Sequence, residues 1–244
     1  MAYELRREDL EPLLLGAAFF GSGGGGTIES ARHLAAHFIA GDYYPADTVK
    51  VVSVDEATEG AAVMVAYLGA PEAINSALYP LGPVTAVQNV QTRLASQSTR
   101  LAYVMPPESG ALGFTVAALV AAKLGLAVID ADGAGRAVPS LPMLTFAAAE
   151  IDPRPAFLVS QGGLCSEPGE LVSAEVDTSG GFDVGKPIRT NQLIHGLKLD
   201  NWSNSSNFGG TRGRNCPTLP IDLAVVPRPH GYLNLARSLL LSIR

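Results

Sequence analysis

Carboxylate side chains follow two predicted strands of this sequence, and they are its strongest candidates for chemistry. Asp130 and Asp132 come directly after the apolar segment Ala127–Ile129, and Glu108 follows Leu101–Met105 across a Pro-Pro turn. In an open parallel sheet, ligands bind beyond the carboxyl ends of the strands, where such side chains converge. Converging carboxylates shift each other's pKa, position a water for general acid–base catalysis or hold a divalent metal. We therefore predict that all three are catalytic, with Asp130 and Asp132 as the ligands of any metal.

The loop that begins at Asp130 carries two more candidates. Gly133 permits a tight turn and is expected to contact the substrate, and Arg136 can return to a carboxylate as a further catalytic group. The structural alternative stays open: Asp130 or Asp132 caps the next element, and Arg136 forms a structural ion pair. For Asp55, which follows another strand, the pattern favours the structural interpretation.

A glycine run at Gly21–Gly26 formally satisfies the G-x-G-x-x-G pattern. The dinucleotide fingerprint requires a strand before the glycines, and here Leu10–Phe20 is predicted to be a helix, so NAD and FAD binding are not favoured. Successive backbone N–H groups leading into a helix predict instead a nest for an anion or imide. The alternative is a turn where two elements cross closely. The residues expected to contact the substrate here are Gly23, Gly24, Gly25 and Gly26.

The remaining reactive side chains form no recognisable site. His33 and His37 have the i, i+4 spacing of zinc ligands, but the glutamate of H-E-x-x-H is missing and the apolar residues lie on the opposite face of the predicted helix. Cys165 and Cys216 lie far apart without C-x-x-C spacing, which indicates neither a disulfide framework nor a zinc finger. His195 lies, like His230, in a poorly patterned region.

The candidate residues lie at the ends of short apolar runs, which are predicted strands and alternate with predicted helices. This alternation predicts an α/β fold: a doubly wound, mostly parallel sheet with helices on both faces and a loop-rich C-terminal third. Residues 1–160 are expected to form the α/β core, and residues 161–244 a loop-rich continuation of the same domain that ends in an apolar helix, Tyr232–Ile243. The predicted strands are Val49–Val54, Ala61–Leu68, Leu101–Met105, Ala127–Ile129, Ala156–Val159 and Ile221–Val226, and the other helices Leu10–Phe20, Ile28–Ala40, Ala86–Ser96 and Leu112–Leu124.

Composition excludes several classes of protein. A formal net charge of −6 without a basic patch argues against a nucleic-acid-binding protein. The stretch Ala111–Ile129 approaches the length of a membrane span, but Lys123 and a glycine interrupt it, which favours a buried helix followed by a buried strand. Glu8, Asp9 and Glu11 interrupt the N-terminal apolar segment, which favours a helix over an export signal. A cytoplasmic protein is therefore expected.

Four segments resemble the S-methyl-thiohydantoin desulfurase-like family. They are Leu15–Gly26, which contains the glycine run; Val128–Met143, which contains Asp130 to Arg136; the acidic–glycine turn Glu108–Gly113; and the helix start His230–Arg237. The resemblance covers residues 5–160 well and 220–244 loosely, with no match over 163–215. The family usually continues into a second domain, and the resemblance implies that this chain is the N-terminal domain alone.

The resemblance implies hydrolysis of an S-methylated thiohydantoin to the hydantoin and methanethiol. From their positions in the sequence, we expect Asp132 or Asp130 to be the base or the holder of a metal-bound water, with Arg136 and the amides of Gly23–Gly26 orienting the ring. The family's association with hydantoinase and oxoprolinase proteins leaves a second function open, that of a non-catalytic partner of such an enzyme. A nucleotide-binding oxidoreductase is a third hypothesis, and homo-oligomerisation is also left open.

Overall fold

Eight strands of the described residues form one mixed sheet. The computed structural model describes residues 2–39, 48–68, 81–138, 141–151, 155–161, 171–176 and 221–225. The order across the sheet is β1-β2-β5-β4-β3-β8-β6-β7. Strands β2, β5, β4 and β3 pair in parallel, whereas β1 and the other three strands pair antiparallel with their neighbours. The strands are β1 (Tyr3–Arg6), β2 (Thr48–Val52), β3 (Ala61–Leu68), β4 (Leu101–Met105), β5 (Ala127–Ile129), β6 (Ala156–Gln161), β7 (Leu171–Val176) and β8 (Ile221–Val225).

Four long helices pack together on one face of this sheet. They share one continuous core with the strand residues that point toward them, such as Val63 and Val128. The opposite face is covered by a second apolar cluster in which Leu144 and Phe146 pack with Met105 and Ile129. The helices are α1 (Leu10–Gly21), α2 (Ile28–Ile39), α3 (Leu81–Ala95), α4 (Ala111–Leu124) and, on the second face, the single turn α5 (Thr145–Ala148).

Helix α4 is the centre of the larger core. Eleven of its fourteen residues are buried, as expected for a helix that is apolar on all sides. Its buried Thr115 hydroxyl donates to the Ala111 carbonyl oxygen at 2.7 Å, which satisfies the polar group. The helix ends at Gly125, whose φ of 68° is the left-handed conformation of a typical C-cap. Within the described ranges, no helix is long and apolar enough to cross a bilayer.

The predicted α/β fold is confirmed, with two refinements. Helices lie on both faces, but the four long ones share one face, and the sheet is parallel only in its four central strands. Strands β1 and β7 were not predicted, because each is an edge strand whose sequence contains charged residues instead of a continuous apolar run. Asp9 stands at the N-cap of α1, but its carboxylate accepts the Arg6 N–H at 2.9 Å rather than a helix N–H.

Two strands of the C-terminal third belong to the same sheet. β8 lies between β3 and β6, and β7 pairs with the outer side of β6. The predicted helix Tyr232–Ile243 lies outside the described residues. The same is true of Cys165, Cys216, His195 and His230.

Candidate functional site

Three loops meet at the carboxyl ends of β4 and β5. The first is the glycine run between α1 and α2, the second joins β4 to α4, and the third follows β5. The Leu112 N–H donates to the Gly25 carbonyl oxygen at 3.1 Å, so the glycine run lies directly on the start of α4. The structure thus brings together the motifs that the sequence analysis singled out separately.

The glycine run crosses the β4–α4 turn backbone against backbone. A Cβ placed on Gly25 would lie 2.6 Å from the Gly110 Cα, and one on Gly26 would lie 2.6 Å from the Leu112 Cβ. Gly24 contacts the third loop, since its Cβ would meet that of Ala137 at 2.5 Å. At these positions only glycine allows so close an approach. This is the crossing that the sequence analysis left open as the alternative to an anion nest.

Hydrogen bonds tie the loop after β5 to the loop after β4. The Gly133 N–H donates to the Pro107 carbonyl oxygen at 2.8 Å, and the Val138 N–H donates to Glu108 Oε2 at 2.5 Å. Between them, the Ser109 hydroxyl donates to Asp132 Oδ2. These three bonds fix the two loops against each other along residues 107–109.

Asp132 is fully buried, and both oxygens of its carboxylate accept hydrogen bonds. Besides Ser109, the N–H groups of Ala134 (2.7 Å) and Gly135 donate to Oδ1. Burial raises the pKa of the Asp132 carboxyl, while these three hydrogen bonds act to lower it. A carboxylate that is 0% exposed to solvent and hydrogen-bonded to two loops is suited to holding those loops rather than to taking a proton from a solvent water.

Glu108 is the more accessible of the two carboxyl groups. Its side chain is only partly buried, and Oε2 accepts the Val138 N–H. Burial raises the pKa of the Glu108 carboxyl, the Val138 N–H opposes this, and the negative charge of Asp132 raises it further. A carboxyl group with a raised pKa in a partly accessible position is suited to proton transfer.

The other predicted site residues lie on the same edge of the sheet with different surroundings. The Asp130 N–H continues the sheet by donating to the Val52 carbonyl oxygen at 2.8 Å, and its side chain is 9% exposed. Arg136 is exposed, and no ion pair joins it to a described carboxylate. Asp55 is exposed in the turn after β2, at the carboxyl end of the strand that pairs with β5.

Gly133 is fixed by packing. A Cβ there would lie 2.5 Å from Phe146 Cε2 and 2.6 Å from the Pro107 carbonyl oxygen. Its own carbonyl oxygen accepts the N–H and hydroxyl of Thr145, at 2.7 and 2.9 Å. The tight turn expected at Gly133 is therefore a junction between the site loop and the start of α5.

Metal ligation finds no support in the described part of the chain. No three His, Cys, Asp or Glu side chains there are grouped so that they could hold an ion. Both Asp132 oxygens accept hydrogen bonds from the protein, and its side chain is 0% exposed to solvent. His33 is exposed, and the side chain of His37 lies outside the described residues.

Ser109 and Val138 are the site residues that sequence reasoning missed. A serine just before an apolar helix is typical of an N-cap. Here Gly110 takes that position, and the Ser109 side chain turns to Asp132 instead. Only a predicted strand order that placed β4 beside β5 could have suggested this partner. Val138 contributes a backbone N–H, which leaves no signal in residue type.

A known family matches the part of the chain that contains this site. The profile of the family described as S-Me-THD-like, N-terminal domain, matches residues 8–166, which include all three site loops. The chain belongs to the S-Me-THD-like family. This confirms the resemblance drawn from the glycine run and the segment that follows β5.

A solved relative supports the fold of this S-Me-THD-like domain. A crystal structure of a protein from Chromobacterium violaceum is 52% identical, with a TM-score of 0.70 over 93% of this chain and 55% of that protein. The chain therefore spans about half the length of its solved relative. A comparison with curated proteins finds no match.

Proposed function

We propose that this S-Me-THD-like domain hydrolyses an S-methylated thiohydantoin in the cytoplasm. Water adds to the ring carbon that bears the methylthio group, and the tetrahedral centre expels methanethiol to leave the hydantoin. One water is consumed, one C–O bond forms and one C–S bond breaks. Family membership supports the substrate class, and the partly accessible Glu108 carboxyl beside the glycine run is the observation that supports the chemistry.

Glu108 is the proton-transfer group in this proposal. In its ionised form it takes a proton from the attacking water, and in its protonated form it returns that proton to the departing sulfur. The raised pKa that burial imposes favours this double role, since a more basic carboxylate is the better acceptor. The sequence-based assignment of the base to Asp132 is less favoured, because its side chain is 0% exposed and both of its oxygens already accept hydrogen bonds. Asp130 is the second carboxylate to test.

The glycine run and Arg136 orient the ring. The run lies against the β4–α4 turn next to Glu108, where an exposed amide such as that of Gly23 can donate to a ring carbonyl or imide oxygen. Of the four glycines, Gly24 has its N–H engaged with the Gly21 carbonyl oxygen at 2.8 Å. Arg136 is exposed at the same edge and available to the anionic side of a substrate.

Release of methanethiol tests this proposal directly. The protein is incubated with an S-methyl-thiohydantoin, and free thiol is measured with a thiol reagent alongside hydantoin by chromatography. We expect turnover by the wild type, and a loss of about 100-fold or more in Glu108→Gln, the size typical of a missing general base. Asp55→Asn, a carboxylate-to-amide change at an exposed position, is the control and should retain full activity. An inactive wild type, or a fully active Glu108→Gln variant, contradicts the proposal.

A non-catalytic partner role is the second candidate. Two large apolar side chains of α1, Leu15 and Phe19, are 47% and 77% exposed, and they lie one helical turn apart. Such a face is suited to contact with another protein, for which we propose an enzyme of the hydantoinase or oxoprolinase type. Co-elution with such an enzyme that is abolished by Phe19→Ser, in a protein without turnover, would favour this candidate.

An oxidoreductase role has weaker support. The element before the glycine run is helix α1, and the dinucleotide fingerprint needs a strand there. A ligand that binds the folded state raises the unfolding temperature. A shift with a hydantoin and none with NAD or FAD would therefore favour the proposed hydrolysis over a nucleotide-dependent reaction.

A further inference from the structure

We propose that Asp132 is a positioning residue: together with Ser109 it holds the loop of residues 132–138 so that the Val138 N–H meets the Glu108 carboxylate. This inference rests on the proposed function, because it assigns Glu108 the proton transfer. It gives Asp132 a role different from that of the base or metal ligand indicated by its place after a strand.

The hydrogen bonds of Asp132 run in two directions. One reaches Ser109, the residue next to Glu108 in sequence, and two return to Ala134 and Gly135 in its own loop. The carboxylate therefore joins the loop after β5 to the loop after β4. Asp132 itself is 0% exposed to solvent. A buried side chain with all its partners in two loops restrains both of them.

The Val138 N–H lies at the far end of the same loop. It donates to Glu108 Oε2, and the two residues that bond to Asp132, Ala134 and Gly135, precede it in the same loop. The Gly133 N–H, bonded to the Pro107 carbonyl oxygen, supports the near end. Residues 107–109 thus accept or donate three bonds, and Asp132 supplies the central one.

Substitutions at Asp132 separate positioning from catalysis. In Asp132→Asn the amide oxygen can still accept from Ala134 and Gly135, and the amide nitrogen can donate to the Ser109 hydroxyl oxygen. Asparagine therefore preserves the restraint but cannot act as a base. In Asp132→Ala the three donors lose their acceptor in a buried place, and the loop is released.

Turnover of an S-methyl-thiohydantoin is measured in Asp132→Asn, Asp132→Ala and Ser109→Ala, with Asp55→Asn and Asp55→Ala as matched exposed controls. We expect kcat to fall about 10-fold or more in Asp132→Ala, as misplacement of a catalytic group does, with KM changed less than about 3-fold. Asp132→Asn should stay within about 5-fold of the wild type, and Ser109→Ala should fall between the two. A folded Asp132→Asn variant as inactive as Glu108→Gln would overturn the positioning role.

Amide hydrogen exchange gives a second readout that needs no turnover. The Val138 and Gly135 amides should exchange faster in Asp132→Ala than in Asp132→Asn, while those of α4 stay unchanged. Equal protection of Val138 in both variants would overturn the inference. If the wild type turns over no thiohydantoin, the proposed function fails, and exchange alone then decides whether Asp132 holds the loop. If Asp132→Ala does not fold, the same comparison is made with Ser109→Ala, which removes one bond.

Discussion

The Val138 N–H lies 2.5 Å from Glu108 Oε2, a hydrogen bond between residues thirty positions apart. The donor stabilises the ionised carboxylate, whereas burial and the charge of Asp132 stabilise the protonated form. The raised pKa of Glu108 shows that burial prevails. The site thus holds a basic carboxylate without a cationic partner from the described residues.

Activity should fall as the pH is lowered through the raised pKa of Glu108. A base works in its ionised form, so kcat/KM should rise with pH through the raised pKa of Glu108 and level off above it. Removing the charge of Asp132 removes one cause of that raised pKa. The acid limb of the Asp132→Asn profile should therefore lie at lower pH than that of the wild type. A limb that stays in place or moves to higher pH would contradict the assignment of Glu108.

Gly25→Ala should destabilise the protein more than Gly23→Ala. Both residues have a positive φ, 71° and 92°, so backbone strain opposes alanine at both positions. The new methyl group meets the Gly110 Cα at 2.6 Å in the first case and nothing within 4 Å in the second. We expect a difference of about 1–3 kcal/mol in the free energy of unfolding, the cost of overpacking. Denaturant unfolding measures it, and equal values would show that the crossing is loose.

Glu56 should contribute stability that is lost in acid. Its carboxylate accepts the N–H and hydroxyl of Ser53 and the N–H of Ala2, which lower its pKa from 4.5 to about 2. A lowered folded-state pKa gives a contribution that is complete above about 4.5 and lost as the pH falls toward 2. Glu56→Gln should therefore unfold more easily than the wild type at pH 7 and equally at pH 2. Asp55→Asn, its exposed neighbour, is the control, and a difference that persists at pH 2 would refute this account.

Phe146→Ala should be far more destabilising than Phe19→Ala. Phe146 is 0% exposed and lies over Gly133, whereas Phe19 is 77% exposed. We expect a loss of about 3–5 kcal/mol in the buried case, from lost burial and the cavity left behind, and little change in the exposed one. Chemical denaturation of both variants measures this. The Phe146 variant should also lose turnover, since the site loop is packed under this ring.

The sequence predicts the central sheet well because its strands are buried on both faces. The predicted bounds of Leu101–Met105 and Ala127–Ile129 are the same as those of β4 and β5. These segments are continuous apolar runs, and such runs mark strands that lie in the core. β1 lacked such a run: one of its four residues is buried, and its pairing with β2 depends on long-range contact.

The sequence indicated the edge of the sheet at which the candidate residues lie, but not the contacts of each side chain. The rule that ligands bind at the carboxyl ends of parallel strands brought Glu108 and Asp132 to one edge correctly. Their different surroundings depend on the path of a loop, which is set by the fit of Gly133 under Phe146 and by the backbone N–H of Val138. Neither effect has a signature in residue type or spacing, so roles assigned from position alone could not separate the two carboxylates.

The place of β8 between β3 and β6 has a consequence for synthesis of the chain. The ribosome adds residues 221–225 about 150 positions after β3, so the emerging protein exposes the unpaired edges of β3 and β6 until then. Open strand edges recruit other strands and promote aggregation. A nascent chain stopped at residue 166, where the family match ends, would contain all three site loops. Without β8, however, the edges of β3 and β6 that pair with it would remain unpaired.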